Sequence, residues 1–415
     1  MKIFTSFYKY SFIIILACLS NFTADAQKDS SFFKRKGLDT SKVKLNMDAI
    51  YNRPFLSAGK SPLAIGGYFE ANSQYASTDG VSDGLSFQMR RMTLFISSTI
   101  AKKIKFLSEL EFEDGTREIN LEFAAMDIEF HPILNFRGGI LMNPIGAFNQ
   151  NHDGPRWDFI DRPISATTII PSTLSNVGFG LYGKHFTPKL TLGYEVYLTN
   201  GFDDRIISNE LNRTALTEGK LNPSRFENNN SGLPMFTGKI AIKNRKIGEI
   251  GFSYMRGIYN QWKLDELILD KKREMQIFAI DIYLSLLKNK IAITGEAAFV
   301  KINMPEFYTQ NYGSKQMGAY IDFVFTILQK PIGDWNKAKI NLVLRLENTD
   351  YNLEKFKETN TKIGDEIWAL VPGISFRPLG ATVLRFNYRY HEQIDLLGNI
   401  PQKTGIFQFG VSSYF

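Results

Sequence analysis

The side chains best suited to act on a solute are charged and come in opposition. Between residues 143 and 176, Arg156 and Arg162 stand among Asp153, Asp158 and Asp161. A loop carrying both signs, set across a narrow aqueous passage, imposes a transverse field on whatever moves through it. The same residues can instead do no more than pin the loop to a wall by ion pairs. Asp153, Asp158 and Asp161 are of the type that binds Ca²⁺, but they lack the dense spacing of such a site. His131, His152, His185 and His391 are scattered, and a single cysteine, Cys18, rules out a cysteine-based zinc site. Gly178-Phe179-Gly180-Leu181-Tyr182-Gly183 matches GxGxxG, yet Lys184-His185-Phe186-Thr187-Pro188 follows where a dinucleotide site needs a helix. No GxSxG, HExxH or Walker motif occurs. No nucleophile and no acid–base pair stands out, so no catalytic residue, metal or cofactor is expected.

The elements that must hold these residues repeat with a period of two. Leu190, Leu192, Tyr194, Val196 and Leu198 alternate with Thr191, Gly193, Glu195, Tyr197 and Thr199; Leu384, Phe386, Tyr388 and Tyr390 alternate with Arg385, Asn387 and Arg389. Sixteen such segments are predicted: 63–76, 84–100, 103–113, 119–130, 133–142, 177–186, 189–199, 236–244, 247–257, 275–287, 290–303, 314–327, 338–349, 363–377, 381–391 and 404–415. Many have the ~9–11 residues of a tilted membrane-crossing strand. Tight turns such as Ala101-Lys102 and Thr187-Pro188 alternate with long connections such as 143–176 and 200–235, the pattern of a transmembrane β-barrel. The ten residues 328–337 break it, falling on the turn side yet long, which puts a strand boundary there in question. The alternative is a soluble two-sheet sandwich burying the apolar rows.

If the strands close into a barrel, their polar faces line water. Those faces carry twelve acids: Glu70, Glu109, Glu111, Glu113, Asp127, Glu129, Glu195, Glu249, Asp281, Glu296, Asp322 and Glu347. Seven bases stand with them: Lys105, Arg137, Lys239, Lys243, Arg345, Arg385 and Arg389. Arg90-Arg91 falls mid-strand, so the two side chains point to opposite faces unless a bulge intervenes; Arg91 is assigned inward. The candidate pore-lining or constriction set is therefore Arg91, Glu109, Glu111, Asp127, Glu129, Arg137, Arg156, Asp158, Asp161, Arg162, Glu195, Arg345, Glu347, Arg385 and Arg389.

Composition agrees. The 415 residues hold 34 Phe, 18 Tyr and 4 Trp, an aromatic excess suited to strands and membrane interfaces. The net charge of +7 is small and scattered, which argues against a nucleic-acid partner. Residues 1–26 read as an export signal: Lys2 and Lys9, an apolar core over Phe12–Leu19, and Ala24-Asp25-Ala26 before Gln27. A lipoprotein signal ending at Cys18 is the lesser alternative. Residues 27–62 are left open as an extra strand, a periplasmic arm or a piece in the pore; 63–415 is the barrel. Phe407, Phe409, Val411 and Phe415 share one face of the last strand.

An ordered set of short motifs resembles the phosphate-selective porin O and P family. It comprises Gly66-Gly67-Tyr68-Phe69-Glu70, Phe87 with Arg90-Arg91, Arg137-Gly138-Gly139, Asn143-Pro144-Ile145-Gly146, Phe148-Asn149, His152-Asp153, Phe159-Ile160-Asp161-Arg162-Pro163, Ile170-Pro171, Gly178-Phe179-Gly180 and Asn200-Gly201. The resemblance covers most of 63–415 and is sharpest over 137–201. It implies an all-β, antiparallel up-and-down barrel of about sixteen strands in the outer membrane of a Gram-negative cell, with an inward-folded constriction loop. It also implies contact with membrane lipid, passage of small hydrophilic solutes or ions by passive diffusion, and a homotrimer. Phosphate specificity does not follow, because acids outnumber bases on the polar faces. A non-conducting barrel serving adhesion, assembly or lipid chemistry is the alternative reading.

Overall fold

In the computed structural model of this chain, residues 44–54, 63–115, 117–211, 213–305 and 312–415 are described. The export-signal reading of 1–26 lies outside them, as does the reading of 27–43. Sixteen strands close into one antiparallel barrel: β1 (Leu63–Thr78), β2 (Val81–Ala101), β3 (Ile104–Glu113), β4 (Glu118–His131), β5 (Leu134–Met142), β6 (Ser175–Phe186), β7 (Leu190–Thr199), β8 (Met235–Asn244), β9 (Gly248–Ile258), β12 (Glu274–Leu286), β13 (Ile291–Ile302), β14 (Lys315–Gln329), β15 (Lys339–Asp350), β16 (Glu366–Arg377), β17 (Thr382–Ile394) and β18 (Gln402–Tyr414). The remaining pair, β10 (Lys263–Leu264) and β11 (Leu267–Ile268), is a small hairpin in the connection between β9 and β12. Each barrel strand pairs with its sequence neighbours, and β1 closes the cylinder on β18, from Tyr68 opposite Tyr414 to Thr78 opposite Thr404. All sixteen predicted segments appear, with ends within three residues.

Burial is inverted relative to a water-soluble protein. Arg137, Arg345, Arg385 and Lys239 are among the largest fully buried side chains, while Phe179, Leu198, Ile240 and Phe386 are exposed on the outside. This is what alternation produces when one face meets lipid and the other an enclosed polar interior. Strand β7 shows it residue by residue: Thr191, Gly193, Glu195 and Tyr197 are buried, Leu190, Leu192, Val196 and Leu198 exposed. Two stacked sheets, which would have buried the Phe and Leu rows, are not formed. Among the described residues no helix is long and apolar enough to cross a membrane.

Two irregularities matter. On the turn side, β14 and β15 are joined by a genuine nine-residue connection, 330–338, closed on itself by mutual backbone bonds between Ile332 and Trp335. The strand boundaries doubted there are sound. In β2, Glu70 pairs with Arg91 and Ala71 with Met89, so Arg90 is the extra residue of a β-bulge.

The interior is filled unevenly. Against β8, β9, β12 and β13, the connections 143–174 and 200–234 supply Ile145, Ile169, Ile170, Leu174, Phe202, Ile206 and Leu216, which pack with Met235, Met255, Met275, Ile277 and Val300 into an apolar core inside the barrel. Open space is left on the opposite side, beside β2, β3 and β17.

Candidate constriction and vestibule

Strand β5 ends at Met142, and the chain turns into the lumen instead of out of it. Gly146 allows the turn. Its φ is +66°, and a Cβ there would fall 2.4 Å from Glu296 Oε2. That carboxylate accepts the backbone N–H groups of Ala147 and Phe148 at 2.6 and 3.0 Å. Lys239 donates to the Gly146 carbonyl at 2.6 Å and pairs with Asp281 at 2.6 Å. From this first anchor the loop crosses to the far wall. The ring centroids of Phe148 and Trp157 lie 4.9 Å apart, and Tyr320 of β14 meets Trp157 edge-on.

The far anchors are ionic. Asp158 accepts from Ser375 Oγ at 2.6 Å and Arg377 Nε at 2.9 Å. Asp161 pairs with Arg90 at 2.7 Å and Arg389 at 3.5 Å, and accepts from Gln408 at 2.9 Å. Burial by itself would raise both carboxyls, but Arg377 and the side-chain donors on Asp158, and Arg90 and Arg389 beside Asp161, hold both below the usual carboxylate range. Arg385 donates to the Phe159 carbonyl at 2.7 Å and to Glu70 at 2.7 Å. Arg345 donates to the Asp161 carbonyl at 2.7 Å while bound to Asp322 at 2.6 Å. Arg389 reaches Glu347 at 2.9 Å, and Glu347 also accepts the Ile164 N–H at 3.2 Å. The pinning role considered for Asp158 and Asp161 is thus the arrangement found. The three loop aspartates do not converge as a Ca²⁺ site, because each faces a different arginine.

Above the loop, toward the long connections, lies a cavity of about 460 Å³. Arg90, Arg91, Arg162 and Arg389 face it together with Glu113, Asp114 and Asp161. Arg91 is inward, bonded to Glu113 at 2.9 Å and Glu70 at 3.1 Å, with Glu111 at 3.4 Å. Arg162 stands 3.6 Å from Glu111. The bulge turns Arg90 inward as well, so both members of the doublet face the lumen. The charge count along the strands missed this arginine.

Other sequence-predicted residues lie apart from this cavity. Asp127, Arg137 and Glu195 form their own cluster, with Arg137 2.6 Å from Asp127 and 3.4 Å from Glu195. Glu129 pairs with Lys105 at 2.7 Å near the turns, half exposed. Arg156 donates to Tyr414 Oη and to the Ala49 carbonyl, both at 2.8 Å. Glu109 pairs with Arg53 at 2.8 Å. Arg53 was not singled out in the sequence, and nothing in its neighbourhood signals it. Glu109, His152 and Asp153 bring their ligand atoms within 4.8 Å of one another, a grouping able to hold a cation. The Arg53 guanidinium already lies there, 2.6 Å from Asp153 and 3.3 Å from His152 Nε2. The glycines of 178–183 belong to β6. A Cβ at Gly178, Gly180 or Gly183 would come within 2.2 Å of a carbonyl oxygen of a neighbouring strand or turn, which accounts for them without a nucleotide.

No family model matches the chain. An uncharacterised protein of Aquifex aeolicus is 30% identical over 210 residues, 49% of this chain and 46% of that one, so the chain spans about half the length of that curated relative. Among solved structures, the anion-selective porin from Comamonas acidovorans superposes with a TM-score of 0.51 at 11% identity, over 85% of this chain and 99% of that one. The outer membrane channel DcaP of Acinetobacter baumannii gives 0.51 at 11%, over 85% and 97%. OmpF of Salmonella typhi gives 0.52 at 9%, over 85% and 98%. The fold is the sixteen-stranded barrel of the outer-membrane porins.

Proposed function

We propose that the chain is an integral outer-membrane porin, exported with signal-peptide cleavage before Gln27, that passes small hydrophilic solutes or ions down their gradients. The carrying observation is the arginine-lined cavity of about 460 Å³ set directly on an inward-folded, ion-paired loop. A polar chamber against such a constriction selects by size and charge before a solute enters. Porins of this fold include one described as anion-selective, and four guanidiniums against three carboxylates around the chamber favour a mild anion preference here. Most lumenal acids are held in pairs with buried bases, so the acid excess along the strands does not translate into cation selectivity. The motif resemblance to the phosphate-selective family supports the same reading and adds a homotrimeric assembly. Purified protein in planar bilayers should give discrete conductance steps, and a salt gradient should give a reversal potential on the anion side. Replacing Arg162 by Ala should move that potential toward neutrality. Absence of steps would instead leave a barrel used for adhesion, assembly or lipid chemistry.

A further inference from the structure

Residues 44–54 precede the first strand and lie inside the barrel at its turn end. They form two short 3-10 turns, Asn46–Asp48 and Ile50–Asn52, and pair with no strand. Their apolar side chains are fully sequestered. Leu45 and Met47 pack on Ala241 of β8, and Ile50 packs among Leu107, Phe123 and Leu141. The backbone is held too: the Asn46 N–H donates to Glu249 of β9 at 2.9 Å, and the Ile50 N–H donates to the Gln150 carbonyl of the inward loop at 3.2 Å.

Two features indicate a seat built for this segment. Gly193 of β7 faces it, and a Cβ there would fall 2.1 Å from Leu45 Cδ1. At the other end, Arg53 inserts its guanidinium between Asp153 of the loop and Glu109 of β3, at 2.6 and 2.8 Å, over the face of Phe95 at 3.8 Å. Asp48 takes Lys184 of β6 at 2.5 Å. The inward loop spans to β13–β18, while this segment covers the wall from β2 to β9. Loop and segment meet inside the barrel, where Arg53 pairs with Asp153 and Arg156 donates to the Ala49 carbonyl at 2.8 Å, so between them they contact the wall from β2 round to β18.

Resting on the porin reading, we propose that residues 44–54 are an autoinhibitory plug, seated by Leu45 against Gly193 and locked by Arg53 in the Glu109–His152–Asp153 cluster, that holds the parent's conductance low, and that full conductance requires its withdrawal. The segment takes part in no strand pairing, so its withdrawal breaks no ladder hydrogen bond of the barrel.

The test uses the full chain and two variants, Gly193→Leu, which fills the seat, and Arg53→Ala, which removes the lock. Heat-modifiable gel mobility reports that each barrel is folded. Breaking a buried ion pair shifts such an equilibrium strongly, so open probability or conductance in planar bilayers should rise at least about tenfold in either variant. Cleavage before Gln27 leaves no native cysteine, so Leu45→Cys is the one thiol; it should be shielded from an impermeant thiol reagent and become reactive when Arg53→Ala is added. If parent and variants conduct equally and Leu45→Cys stays shielded, the plug is overturned and the porin reading stands. If none conducts, although all are folded, both fall.

Discussion

At the scale of single residues, enclosed charge dominates the interior. Arg345 is fully buried and bidentate to Asp322, with Nε–Oδ1 at 2.6 Å and Nη2–Oδ2 at 2.7 Å. Arg345→Met leaves that carboxylate uncompensated and should cost about 3–5 kcal/mol, read as a lower temperature of heat modification. Gly146→Val combines a left-handed backbone with a collision on Glu296 and should cost about 1–3 kcal/mol. Its first effect should be a loosened loop, seen as noisier current. The loop carboxylates also set a pH expectation. Asp158 and Asp161 sit below their ordinary range, so their anchoring is fully present above pH ~4 and is lost only as pH falls through the depressed values. The stability difference between the parent and Asp158→Asn, read as heat-modification temperature, should therefore stay constant from neutrality down to about pH 4 and shrink below it.

Elements were the part most legible in the sequence. Alternation of period two located all sixteen strands, because lipid on one side and enclosed polar groups on the other leave no other pattern for the chain. The same logic failed where the period slips. At Arg90 one extra residue turns both arginines inward, and no rule of alternation indicates which way a doublet resolves. Residues 44–54 were only partly legible: Leu45, Met47 and Ala49 alternate with Lys44, Asn46 and Asp48, a pattern that suits an extra strand as well as the two 3-10 turns found, which are held by long-range contacts the sequence does not show. Nor did the charge count show that Asp127, Glu195 and Glu347 are neutralised by neighbours on other strands, since cross-strand pairing depends on register. The bulge makes its own prediction. Deleting Arg90 restores regular pairing between β1 and β2 at Glu70–Ala71, leaving only the second shift at Ala76–Ser77, so the variant should fold and be heat-modifiable. Having lost one guanidinium of the vestibule, it should move the reversal potential toward neutrality, as should Arg90→Ala. A deletion elsewhere in β2 would turn every later side chain of the strand to the wrong face.

For the molecule as a whole, the barrel wall is uniform but its contents are lopsided. An apolar core fills the side of β8–β13, and polar space remains by β2, β3 and β17. On the proposed porin reading, traffic runs along that open flank, and substitutions at Arg91, Arg162 and Arg389 should alter selectivity, whereas Asp127 and Arg137 should govern stability with little effect on reversal potential. Paired single-channel and thermal measurements on Arg162→Ala and Asp127→Asn check that division.

The seam between β1 and β18 carries a consequence for biogenesis. The cylinder cannot shut before its final strand has been delivered, yet the stretch ahead of β1 is tethered at the same rim where it docks. On the plug reading, it can be swallowed after closure without threading the bore, so seating and release would be events of the finished barrel and not of its assembly.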